Sequence, residues 1–247
     1  MKNVIFHLIF LVVFLPLTCP VFAGELLFIK GEGVPVCEAH FNNLKDLTLY
    51  EMVCQRDESY PKKNGITRPK WDKMELTDNT ELIKRIHKFL SYGDQFAPME
   101  VMDDEKQFKS LFDTIYSKSH TLWKSMIDLD NDGITETAIL YTKGICMETH
   151  VYSRPLLVLD GEKNVINVKN TLLLLDPLAK YDNIKTKVLV HYQLYDSFFY
   201  NNATYFDSWD ADSSMLNVYK QSKDKAKEVC KYQYIDNATL NGGKDED

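Results

Sequence analysis

Asp128-Leu129-Asp130-Asn131-Asp132-Gly133-Ile134-Thr135-Glu136 runs without a break into Thr137-Ala138-Ile139-Leu140-Tyr141-Thr142. The first stretch sets acids at alternate positions around a glycine; the second is a run of apolar and β-branched residues suited to a strand. Calcium is a hard cation that takes six to eight oxygens, and a tight loop with alternate carboxylates wraps them round one point. Gly133 permits the sharp turn that lets the carbonyl of Ile134 face inward. Asp128, Asp130, Asp132, the Ile134 carbonyl and Glu136 are therefore the expected ligands, with Glu136 closing the shell from the first residue of the strand. Four carboxylates converging without a cation would repel one another. A shell closed by protein oxygens leaves no open position for a substrate, so the metal is expected to fix a helix-to-strand junction, not to catalyse.

The texture of the chain changes at this loop. Before it, Phe41, Leu44, Leu47 and Leu49 recur at helical spacing between Cys37 and Cys54. Asp78 and Glu81 form a capping-box pattern ahead of Leu82, Ile83, Ile86 and Leu90, with Gly93 as a stop. Asp103-Asp104 precede a second stripe of Phe108, Leu111, Phe112 and Ile115. After it come short runs rich in Val, Ile, Leu, Tyr and Phe, at 137–142, 156–159, 165–168, 171–175, 187–194, 198–200, 204–206 and 216–219. Asp160-Gly161 and Asn201-Asn202 sit between runs and suit the positive φ angles of tight hairpins. The expected fold class is α+β, with N-terminal helices packed on a C-terminal antiparallel β-sheet. A short apolar run at 26–29 is consistent with one strand before the helices.

The metal loop resembles that of FG-GAP and VCBS-type extracellular proteins, written D-x-D-x-D-G-x-x-D and leading straight into a strand, with Glu136 in place of the last Asp. It differs from an EF-hand, which needs a bidentate Glu at the twelfth loop position, where this chain has Ile139. The resemblance covers the loop and its strand, and implies calcium and an extracellular setting. Those families use many copies; this chain has one and shows no internal repeat, so a propeller is not expected. Gly33-Val34-Pro35-Val36-Cys37-Glu38, this loop and Tyr205-Phe206-Asp207-Ser208-Trp209, behind a leading signal, are together similar to uncharacterised exported bacterial proteins. That likeness implies location and metal and brings no activity.

Export is also read from the start of the chain. A short basic beginning at Lys2, an apolar core at 4–15 and the small-residue site ending at Ala23 form a cleavable signal at 1–23. Residues 24–241 are then expected as one globular domain, with a mobile acidic tail at 242–247 and no membrane span after cleavage. The formal charge of −7 falls to about −8 when Lys2 leaves, which disfavours nucleic acid. Cys37, Cys54, Cys146 and Cys230 survive cleavage, an even number that suggests two disulfides, with three pairings possible. The pair closest in sequence, Cys37 with Cys54, would leave Cys146 with Cys230.

Two functional readings follow. The first is a calcium-stabilised, disulfide-tied binding or structural protein of the cell envelope or extracellular space, with a protein or glycan ligand. The aromatic segment 192–209 supplies Tyr200, Tyr205 and Trp209 as candidate contacts on an exposed row of a hairpin. The second is a secreted hydrolase whose acids assemble only in three dimensions, for which Glu148 with His150 and Asp207 with Asp210 are the candidate pairs. No Ser or Cys sits in a nucleophile-elbow pattern.

Overall fold

The computed structural model describes residues 24–55, 64–90, 103–146, 152–161, 165–175, 194–209, 214–222 and 225–235. The signal expected at 1–23, the tail expected at 242–247, residues 187–193 of the strand expected at 187–194, and Glu148, His150 and Asp210 lie outside the described residues.

In chain order the elements are β1 Glu25–Lys30, α1 Pro35–Leu44, α2 Leu49–Val53, β2 Ile66–Thr67, β3 Asp72–Met74, α3 Thr80–Leu90 and α4 Glu105–Leu111. A π-helical turn, Phe112–Tyr116, then leads to β4 Thr121–Ile127, β5 Glu136–Thr142, β6 Leu156–Asp160, β7 Val165–Ile166 and α5 Val168–Leu175. Four strands close the fold: β8 Leu194–Tyr200, β9 Ala203–Trp209, β10 Met215–Ser222 and β11 Lys225–Ile235.

The strands form two antiparallel sheets, which corrects the expected architecture of helices resting on one C-terminal sheet. One sheet has the order β1-β11-β10-β9-β8-β2 and the other β3-β4-β5-β6-β7. Strands from the part of the chain ahead of the metal loop enter both: β1 pairs with β11 through Leu26 opposite Tyr234, and β3 pairs with β4 through Lys73 opposite Trp123. The helices are short and do not make up an N-terminal layer of their own.

Period-two alternation explains why two sheets face each other. Ile127, Ala138, Leu140, Leu156 and Val158 of the β3–β7 sheet join Tyr195, Phe206 and Tyr219 of the other in one buried cluster. The intervening residues line the opposite face of each sheet, which is also covered. Ile139, Tyr141, Leu157 and Leu159 cluster with Leu82, Ile83, Ile86 and Phe108, while Leu194, Phe198, Trp209, Leu216 and Val218 cluster with Val36, Leu44, Met52 and Val53. Each sheet therefore has two apolar faces, as its unbroken runs of buried residues require.

Local chemistry sets the element ends. Thr48 and Glu51 make a reciprocal capping box at α2, and Asp104 caps α4 by accepting from the Lys106 and Gln107 amides. Asn201 and Asn202, at φ 48° and 59°, make the turn that sets Tyr200 opposite Ala203. The stretch 171–175, expected as a strand, belongs to α5, whose Thr171 hydroxyl accepts from the Val158 amide of β6.

The disulfides also differ from the closest-in-sequence pairing. Cys37 bonds Cys230, tying α1 to β11, and Cys54 bonds Cys146. Pairing of β1 with β11 closes the two ends of the described chain on each other, and this puts Cys37 beside Cys230.

Candidate metal centre

The loop between β4 and β5 is held at both ends by buried apolar residues. Ile127 and Leu129 point into the inter-sheet core, and Asp128 and Asp130, alternating with them, are left to turn toward the loop interior. Asp128, Asp130 and Glu136 bring one carboxylate oxygen each to within 4.8 Å of one another. These three are the acids that the structure gathers.

Backbone amides wrap the same carboxylates. The Asp132 amide donates to Asp128 Oδ1 at 3.0 Å and to Asp130 Oδ1 at 3.2 Å, and the Gly133 amide donates to Asp128 Oδ2 at 3.0 Å. The Leu129 amide donates to Glu136 Oε2 at 2.8 Å. Asn131 at φ 62° and Gly133 at φ 91° turn the chain so that these amides point inward. Asp132 does not join the cluster: its Oδ1 accepts from the Ile134 amide at 2.8 Å. Ile134, whose carbonyl was an expected ligand, leaves its side chain exposed at the apex.

Burial pushes the Glu136 carboxyl above its ordinary range; the Leu129 amide opposes this, and the charges of Asp130, Asp128 and Asp132 add to the rise. The carboxylates thus repel while being partly withdrawn from water, which a bound cation would reverse. The donor set is all hard oxygen, which suits calcium or magnesium rather than zinc or copper. Three carboxylates fit such an ion, and backbone carbonyl or water oxygens would supply the remainder.

Asn131 was not singled out by sequence, and it carries the loop's longest-range contacts. Its Nδ2 donates to the Thr204 carbonyl at 3.2 Å and to the Gln221 carbonyl at 2.9 Å, while its Oδ1 accepts from the Thr204 amide at 2.7 Å. The β9–β10 ladder ends where Tyr219 faces Phe206; continuing its register would set Gln221 opposite Thr204. There the Asn131 side-chain amide, chemically a peptide group, takes the place of the ladder. The loop of one sheet is thereby hydrogen-bonded into the other.

The other sequence candidates fare differently. Trp209 is 0 % exposed, so it is a core residue and offers no face to a ligand. Tyr200 and Tyr205 are half-buried against the same cluster, and Lys220 Nζ lies 5.6 Å from the Tyr205 ring centre. Asp207, 1 % exposed, sits 3.1 Å from His40 Nε2 inside the core. Across the β8–β9 ladder it faces Asp196, which Arg68 meets at 2.5 Å. These buried acids are held by the His40 imidazole and the Arg68 guanidinium and are closed to solvent, the opposite of an accessible carboxylate pair.

Among the described residues no helix is long and apolar enough to cross a membrane. The two disulfides are compatible with an exported protein. No family description matches the chain, and neither a curated protein nor a solved structure matches it.

Proposed function

We propose that this chain is an exported binding or structural protein of the envelope or extracellular space, stabilised by a calcium ion in the loop 128–136. The observation that carries the reading is the convergence of Asp128, Asp130 and Glu136 within 4.8 Å at a loop that is hydrogen-bonded into the opposite sheet. A cation there neutralises the cluster and fixes the β4–β5 connection against β9 and β10. Two disulfides, each spanning a long stretch of chain, support a setting outside the reducing cytoplasm. The ligand is a protein or glycan met at a surface, and the ion serves the fold, not a reaction.

Thermal unfolding tests this. An ion bound only by the folded protein, at about a hundred times its dissociation constant, adds about 2.7 kcal/mol, or roughly 5–10 °C for a chain of this size. Calcium is expected to raise the melting temperature of the wild type over that in chelator, and to leave Asp130→Asn unmoved. Identical melting of both proteins in calcium and in chelator would remove the ion from the account.

A further inference from the structure

We propose that Gln221, carried by the sheet opposite the loop, gives its side-chain carbonyl oxygen to the cation held by Asp128, Asp130 and Glu136, so that both sheets bind the metal. This rests on the functional reading above and extends its ligand set across the core.

Gln221 is 1 % exposed, and among the described residues its buried Oε1 meets no hydrogen-bond partner. A buried amide oxygen left without a partner loses what water gave it, so such atoms in folded proteins call for an occupant. The direction of the side chain follows from the strand. Residues 217, 219 and 221 share one face of β10, and Tyr219 belongs to the same buried inter-sheet cluster as Ile127 and Leu129, the two residues that flank Asp128. Ala226, directly across β11 from Gln221, lies against the same cluster. The Gln221 side chain therefore leaves its strand on the face turned toward the opposite sheet, the sheet that carries the metal loop. Its position beside the loop is fixed independently, because its own carbonyl accepts from Asn131 at 2.9 Å, and Asn131 stands between Asp130 and Asp132.

The chemistry is suited to the task. Side-chain amide carbonyls are ordinary calcium ligands, and a neutral oxygen enlarges the shell without adding charge to three carboxylates already gathered within 4.8 Å. A site so built is completed only when the two sheets are together.

Calorimetric titration of calcium into chelator-stripped protein tests the assignment with wild type, Gln221→Met and Gln221→Glu. Met keeps the length and removes the oxygen, so affinity is expected to fall roughly tenfold, equivalent to about 1.4 kcal/mol. Glu restores an oxygen and is expected to bind at least as tightly as wild type. Europium luminescence lifetimes in light and heavy water supply a readout that packing alone would not move: Gln221→Met should gain a coordinated water. Wild-type affinity and an unchanged water count in Gln221→Met would overturn the assignment while leaving the metal site standing. Absence of any heat from the wild type would overturn both. Should Gln221→Met fail to fold, Gln221→Asn, which withdraws the same oxygen by one methylene, is expected to bind more weakly, and equal binding refutes the role.

Discussion

Replacing Asn131 by glycine isolates the contact between the metal loop and the second sheet. Asn131 sits at φ 62°, a conformation glycine adopts freely, so the substitution removes the side chain without straining the backbone. Three hydrogen bonds go, to the Thr204 amide, the Thr204 carbonyl and the Gln221 carbonyl. At about 0.5–1.5 kcal/mol each they sum to about 1.5–4.5 kcal/mol, and the greater freedom of glycine in the unfolded chain adds about 0.5 kcal/mol more. The expected loss is therefore about 2–5 kcal/mol, a large share of the stability of a typical domain. Urea unfolding in chelator measures it directly, and the same experiment in calcium shows whether the ion's contribution shrinks when the loop is unpinned. A loss below about 1 kcal/mol in both conditions would refute the claim that this amide stands in for a ladder of backbone bonds.

Other expected outcomes concern the core and the crosslinks. Burial, with the nearby Lys143 charge, lowers the His120 imidazole to about 3, so it is neutral in the folded state while the unfolded chain takes a proton below about 6.5. Its stabilising term is full above pH 6.5 and is lost as pH falls toward 3, costing roughly 3 kcal/mol by pH 4.5; urea midpoints of His120→Phe should lose that slope, and parallel pH curves for the two proteins would refute it. Leu129, 1 % exposed, anchors the loop from within, so Leu129→Ala should cost about 2–5 kcal/mol by chemical denaturation and weaken calcium binding as well. An unchanged calcium affinity would mean that the anchor and the site are uncoupled. Removing the Cys37–Cys230 bond, which spans 193 residues, by paired serine substitutions should cost about 4–5 kcal/mol through restored loop entropy, read from oxidised proteins in urea. A loss under about 1 kcal/mol would show that the unfolded chain is held compact by other means.

What the sequence made legible was local. The loop 128–136 announces itself through the spacing of its acids around Gly133, and Asn201-Asn202 marks the β8–β9 turn because two adjacent residues suited to positive φ have few other uses. Strand β4 was missed because Thr121–Ile127 sets Lys124 and Met126 on an exposed position of a face that is buried only at Leu122, which blurs the alternation. Strand β11 was missed for a similar reason, with Lys225, Lys227 and Lys231 interleaved among apolar residues along an otherwise long strand. The apolar run at 171–175 suits a strand, but leucines without alternation suit a helix as well, and the helix forms. The pairing of Cys37 with Cys230 follows from β1 meeting β11 across nearly the whole chain, and the division into two sheets from which strands pair with which, contacts no local pattern encodes. Asn131 and Gln221 escaped notice for the same cause. Their significance lies in where the opposite sheet stands, and neither has a spacing that betrays it.

Equilibrium dialysis against radioactive calcium tests the central claim most directly. Chelator-stripped wild type is expected to retain one calcium ion per chain at saturation, and Asp130→Asn to retain none under the same conditions. Retention of no calcium by the wild type, or equal retention by both proteins, would contradict the assignment of Asp128, Asp130 and Glu136 as a metal centre.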